Sequence, residues 1–210
     1  ISIFFVGIFL HDSIIHMRKP VIFDAVLSPE DIKRLREIAT ETPTERTEYD
    51  PYNGRVMFYT DTIEEAVGEK LLDIAREVFG DPTLKTSRAS LVRYAWKESK
   101  LNLHIDEYAA KYTLDYILTQ KTETWPIYIE DEPYYLEENQ AIAFVGSEVL
   151  HYRDYMPDPE NNVVEIVLMH YEPGDGGTFA NNAETFIRRR IIGGFNTGVW
   201  KACPGASHGD

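Results

Sequence analysis

The sequence is poor in cysteine and in positive charge. One cysteine, Cys203, occurs in 210 residues. A single thiol can form neither an internal disulfide nor a Cys-rich metal site, and a chain without disulfides suits a reducing compartment such as the cytoplasm. Lysine and arginine number 21 against 35 aspartates and glutamates, a formal net charge of −14. Phosphate binding needs a basic face, so nucleic acid is disfavoured as a partner. The short cluster Arg188-Arg189-Arg190 reads as a solvated helix end or turn. The apolar run from Ile1 to Leu10 is too short to span a bilayer, and no membrane partner is expected. Three origins compete for it: translated upstream sequence ahead of a start at Met17, a first strand, or a truncated export signal. The first two are favoured, because no basic leader or small-residue cleavage site is evident. There is no internal repeat and no low-complexity tract.

What is present is a globular composition, 43% hydrophobic and 12% aromatic. The length suits one domain, residues 1–210, with a sizeable core. Two helices stand out in a helical N-terminal part, 17–85. Ser28 is a natural N-cap, Pro29 suits the first helical position, and Asp31 completes a cap. Leu27, Ile32, Leu35 and Ile38 then share a face. A second helix begins at Asp61, with Glu64 three residues on as a capping box. It carries the stripe Ile63, Val67, Leu71, Ile74 and Val78, and ends at Gly80 before Pro82. From residue 86 to 172 the periodicity turns to two. The candidate strands are 87–96, 101–106, 112–119, 125–130, 140–145, 149–153 and 163–171. The fold class is mainly β with N-terminal helices, a small sandwich or barrel backed by helices. Residues 193–210 form an irregular tail. Oligomeric state is left open.

The chemistry-bearing pattern is His104-Ile105-Asp106. Residues two apart in a strand point to one side, so both side chains can reach one ion. His151 lies on another predicted strand. Two imidazoles and a carboxylate make the facial set that suits Fe(II) and leaves positions open. A lone His-x-Asp is a weak motif, and its bland reading is a pair of surface or core-satisfying polar groups. The strand context and the third ligand tip the balance towards a metal site. His170, on the face of Val164, Ile166 and Leu168, is expected to be a buried, hydrogen-bonded histidine. His11, His16 and His208 lie in terminal segments and carry no argument.

The stretch from Arg88 to Tyr171 resembles the Fe(II)/2-oxoglutarate dioxygenases, in particular their prolyl-4-hydroxylase-like branch. The likeness lies in the order of LVRYAW, LNLHID, YTLDYILT, WPIYIED, LEENQAIAFVG and LHYRD. Asn139 takes a turn position where the family often has glycine, and asparagine tolerates the left-handed conformation. The resemblance implies a double-stranded β-helix, a jelly-roll or cupin-like barrel, over 86–172. It implies Fe(II) held by His104, Asp106 and His151, with 2-oxoglutarate as cosubstrate. The implied reaction is oxidative decarboxylation of 2-oxoglutarate coupled to hydroxylation of a small molecule or an amino-acid or peptide side chain. Tyr94 matches a tyrosine that often contacts the cosubstrate. Many members bind the far carboxylate with a basic residue downstream of the distal histidine, but Pro159 to Val164 holds none. Arg153 is the substitute, two residues after His151 and on its side of the strand. Its bland role is an ion pair with Asp154, Asp158 or Glu165. Lys111 and Lys121 are the reserves. Because Asp106 fills the carboxylate position, no ligand place is vacant for a halide, and halogenation is disfavoured. Tyr108, Tyr112, Tyr116, Trp125 and Tyr128 flank the predicted mouth, more as core or wall than as a substrate platform. The Tyr49–Arg55 loop reads as a surface loop, with a lid as the alternative. Three rival functions are weighed: a cupin-type metal enzyme without 2-oxoglutarate, a barrel-fold binding protein without catalysis, and, less favoured for want of a His-Glu-x-x-His motif, a zinc hydrolase.

Overall fold

The first helix, α1 (Pro29–Glu41), starts as its sequence dictates. Ser28 is extended, its hydroxyl accepts from the Asp31 amide at 3.3 Å, and Asp31 Oδ2 accepts from the Ser28 amide at 3.2 Å. Two orphan amides are thus satisfied reciprocally. The second helical stretch runs as α2 (Asp61–Ile63), a wider π-turn over Glu64–Gly68, and α3 (Glu69–Phe79). It stops at Gly80, whose φ of 63° is left-handed. These bounds come from a computed structural model, which describes residues 19–42, 46–58 and 61–174. The expectations for 1–16, Met17, Arg188–Arg190, Cys203, His208 and the 193–210 tail lie outside the described residues.

Among the described residues there are eleven strands: β1 (Val21–Phe23), β2 (Thr47–Asp50), β3 (Arg55–Phe58), β4 (Lys85–Tyr94), β5 (Leu101–His104), β6 (Tyr112–Gln120), β7 (Ile127–Ile129), β8 (Glu132–Tyr134), β9 (Ala141–Phe144), β10 (His151–Arg153) and β11 (Val164–Glu172). They form a seven-stranded sheet, β1-β9-β6-β11-β4-β3-β2, and a four-stranded sheet, β5-β10-β7-β8. All pairings are antiparallel. The segment expected to be helical therefore also supplies three strands. β1 lines one edge of the large sheet, and the β2–β3 hairpin extends the other. Their shortness and flanking turns hid the alternation.

Alternation along the long strands divides the protein into layers. Leu114, Tyr116 and Leu118 of β6, with Val167, Met169 and Tyr171 of β11, pack against Leu35, Ile38, Leu71 and Ala75 of the helices. The intervening Ile117, Val164 and Ile166 face the small sheet with Val92, Ile127, Ile129, Ile142 and Phe144. Two antiparallel sheets face each other over a second core, a double-stranded β-helix with helices on its outer face. At the β-turn before β9, Asn139 is left-handed, with φ of 64°. Its side chain also ties the turn to the start of α1: Oδ1 accepts from the Leu27 amide at 3.0 Å and from the Tyr116 hydroxyl at 3.1 Å.

Candidate metal centre

β5 is an edge strand of the small sheet, and His104 is its last residue. β10 lies beside it with His151 directly opposite His104. Asp106 falls just past the strand, where its amide donates to the Gly146 carbonyl at 2.9 Å. Asp106 Oδ1 then lies 3.4 Å from His104 Nε2 and 3.6 Å from His151 Nε2. One donor atom from each of the three residues lies within 4.8 Å of the others. Neighbouring ligands on bonds near 2.1 Å sit about 3.0 Å apart, so a small inward pivot closes this set on one ion. The imidazoles are already oriented. His104 Nδ1 is 2.7 Å from the Asn102 carbonyl and His151 Nδ1 is 3.1 Å from the Val149 carbonyl. A carbonyl only accepts, so Nδ1 carries a proton and Nε2 is the nitrogen that faces Asp106, able to bind a metal once it bears no proton of its own. The other carboxylate oxygen, Asp106 Oδ2, accepts from Thr113 Oγ1 at 2.6 Å. Gly146 is obligatory at this point: a Cβ there would collide with Asp106 Oδ2 and Thr113 Oγ1.

The site's charge balance follows from burial. Burial would raise the Asp106 carboxyl, but bonding to His104 and His151 holds it well below the usual carboxylate range. Burial and the neighbouring His151 lower His104. For His151 burial also works downward, yet the Asp106 carboxylate outweighs it and the pKa is raised.

Arg153, two residues beyond His151, is buried between the sheets. Its Nη1 donates to the Trp125 carbonyl at 2.6 Å, and the guanidinium lies over the Trp125 ring at 5.2 Å. Nε and Nη2 are buried with no hydrogen-bond partner among the described residues. None of the three expected acidic partners holds it: Glu165 pairs with Arg93 instead, at 2.7 Å. The nearest carboxylate is Asp115 of β6, whose Oδ2 is 3.7 Å from Nη2. Burial raises Asp115 and lowers Arg153, in each case against the pull of the other. A buried cation with two idle donors is a fitting receptor for a carboxylate. Tyr94 is buried nearby, its ring edge against Trp125 at 4.9 Å, and its hydroxyl accepts from Arg55 Nη1 at 3.1 Å. The Lys111 amine lies over the Tyr112 ring, 5.0 Å from its centroid. Lys121 is exposed.

No protein-family model and no curated protein matches the chain. Solved structures do. A 2OG-Fe(II) oxygenase family oxidoreductase from Burkholderia pseudomallei aligns with a TM-score of 0.61 at 12% identity, over 77% of this chain and 88% of that one. HygX from Streptomyces hygroscopicus, solved with nickel and 2-oxoglutarate bound, aligns at 0.58 and 9% identity, over 73% and 82%. A Pseudomonas putida prolyl-4-hydroxylase aligns at 0.56 and 11% identity, over 73% and 92%. The chain has the fold of the 2OG-Fe(II) oxygenases.

Within this oxygenase fold, the site holds polar groups whose partners the sequence does not reveal. His170 is buried as expected. Its Nδ1 has no partner among the described residues, and its Nε2 stands 4.0 Å from Asp106 Oδ2. Burial pushes its pKa down to about 4, so the ring is neutral at neutral pH. The face was legible from Val164, Ile166 and Leu168; the missing partner was not. Asp115 and Thr113 share the inward face of β6, and the one usable signal was an acid inside the otherwise apolar run Leu114–Leu118. Among the flagged aromatics, Trp125 reaches the cavity. Tyr116 belongs to the helix-facing core, Tyr112 packs on Phe79 at 4.4 Å, and Tyr128 stacks on Tyr152 at 4.7 Å. The side chain of Tyr108 lies outside the described residues. The Tyr49–Arg55 segment is the tip of the β2–β3 hairpin, fastened to the strand that carries His104. Asn53 Oδ1 accepts from the Asn102 amide at 2.9 Å, and its carbonyl accepts from Lys100 at 3.0 Å.

Proposed function

We propose that this protein is an Fe(II)- and 2-oxoglutarate-dependent oxygenase that hydroxylates a small molecule or an amino-acid or peptide side chain. The observation that carries the reading is a pair of features joined through β10: three convergent metal-type donors that include His151, and a buried arginine with idle donors two residues further on. Bound Fe(II) and 2-oxoglutarate would supply dioxygen activation, with 2-oxoglutarate oxidised to succinate and carbon dioxide as one oxygen atom enters a substrate C–H bond. Everything else is the work of the chain. His104, Asp106 and His151 offer one face of ligands and leave the opposite face open. The backbone carbonyls of Asn102 and Val149 fix both imidazole tautomers. Thr113 holds the non-ligating carboxylate oxygen, so Oδ1 alone points at the ion. Arg153 receives the distal carboxylate of the cosubstrate, with Trp125 and Tyr94 keeping water from that end. HygX, also solved with hygromycin B bound, and a prolyl hydroxylase from Trichoplax adhaerens, solved with a hypoxia inducible factor peptide fragment, support a small-molecule or peptide substrate as the class to test first.

The test is anaerobic titration of the purified protein with Fe(II) and then 2-oxoglutarate. A weak visible charge-transfer band is expected, and admission of oxygen should yield succinate. Metal-replete protein without that band removes 2-oxoglutarate from the account and leaves a cupin-type metal enzyme.

A further inference from the structure

The buried arginine that would take the far end of 2-oxoglutarate already faces a carboxylate of the chain. Asp115 lies on the inward face of β6 and is 5% exposed, and Arg153 faces it from β10 of the other sheet at 2%. Their separation of 3.7 Å is within ion-pair range and beyond hydrogen-bond length. Asp115 therefore supplies countercharge without consuming the Nε and Nη2 donors, which remain idle. That arrangement solves one problem and creates another. A guanidinium buried alone is costly, and a neighbouring carboxylate offsets the cost before any ligand arrives. A dicarboxylic oxo acid then brings a second negative charge to a cation that is already balanced. At a few ångströms in a desolvated cavity, the repulsion between the two carboxylates is not screened by salt.

We infer that Asp115 competes with the distal carboxylate of a 2-oxo acid for Arg153, making this residue a determinant of which cosubstrate terminus the cavity accepts. The inference rests on the proposed function and deepens it. A neutral amide end suits an Arg–Asp pair at least as well as an acid: its oxygen accepts from Arg153 and its nitrogen donates to Asp115. The cavity accordingly holds 2-oxoglutarate weakly and discriminates little against its 5-carboxamide.

Binding to the Fe(II)-loaded, oxygen-free protein, read from the charge-transfer band, tests this with three ligands: 2-oxoglutarate, its 5-carboxamide, and 2-oxobutyrate, which has no far polar group. Wild-type protein is expected to prefer the acid over the amide by less than about tenfold. Asp115→Asn is expected to tighten 2-oxoglutarate by at least about tenfold while shifting 2-oxobutyrate by less than about threefold. A wild-type preference for the acid above that limit, or unchanged or weaker 2-oxoglutarate binding in Asp115→Asn, overturns the inference. Should the variant fail to fold, the wild-type comparison decides alone. Absence of a band with every oxo acid is a different result: it removes the proposed function itself.

Discussion

Replacing Gly146 with alanine should disable the metal centre through a single methyl group. The new Cβ would stand 2.9 Å from Asp106 Cγ, and closer still to Asp106 Oδ2 and Thr113 Oγ1. Ordinary contact begins near 3.4 Å, so the carboxylate must retreat or Thr113 must swing away. Either movement breaks the 2.6 Å bond that holds Oδ2 and swings Oδ1 off the two imidazoles. Overpacking of this kind costs about 1–3 kcal/mol of stability. Loss of a partner that orients a ligand weakens metal binding about 10- to 100-fold, or roughly 1.4–2.7 kcal/mol. Calorimetric titration with Co(II) measures the second quantity, and urea unfolding the first. Gly80→Ala is the matched control. Its φ of 63° strains any side chain, yet nothing lies within 4 Å of the added carbon. It should lose about 1–2 kcal/mol of stability with metal affinity intact. The reasoning fails if Gly146→Ala binds Co(II) within about threefold of wild type, or if the control loses as much affinity.

Three further outcomes are expected. Arg153→Met should abolish the 2-oxoglutarate band while Co(II) still binds; it should cost about 3 kcal/mol because Asp115 is left unpaired, and adding Asp115→Leu should recover much of it. Loss of 2-oxoglutarate binding together with metal binding would instead make Arg153 a structural residue. Asn53→Ala removes the acceptor for the Asn102 amide, whose own carbonyl holds the His104 ring; Co(II) affinity should fall about three- to tenfold, and an unchanged value refutes the clasp. Metal binding should displace a proton from His151, whose pKa the Asp106 carboxylate raises, at a higher pH than from His104, whose pKa burial lowers. Affinity then falls as pH drops through the raised His151 value. Calorimetry in buffers of different ionisation enthalpy, repeated over pH, counts the protons, and a release that does not grow as the pH is lowered contradicts the assignment.

The parts of this fold that could be read from the sequence are those governed by local rules. The Ser28 cap and the Gly80 stop depend on a few adjacent residues, and both occur as the chain spells them. The long strands β4, β6 and β11 declare themselves by alternation over nine or ten residues. Three-residue strands such as β1 and β8 carry too few alternations to stand out, and they exist because a neighbour offers its edge. The same division holds at the site. The pairing of His104 with Asp106 and of His151 with Arg153 follows from spacing by two. That these pairs meet depends on β10 lying beside β5 with residue 151 opposite 104, a register set by the whole sheet. Asp115 fell between the two cases: an isolated acid in an apolar strand is visible, but its partner lies across the core on the opposite sheet.

The three metal-type ligands are not equivalent in how the fold holds them. His104 and His151 hang from adjacent strands of the small sheet, each braced by a carbonyl of its own chain segment two residues back. Asp106 has left that sheet. Its amide binds Gly146, which follows β9, and its Oδ2 binds Thr113 of β6, and both of those strands belong to the large sheet. The carboxylate is thus positioned by one sheet and the imidazoles by the other. Asp106 Oδ1 stands 3.4 and 3.6 Å from the two imidazole nitrogens, so the donor set joins the two sheets at this end. Gly146 bears on it directly, because the absence of its side chain is what allows the large sheet's grip on the carboxylate to come so near the small sheet's histidines.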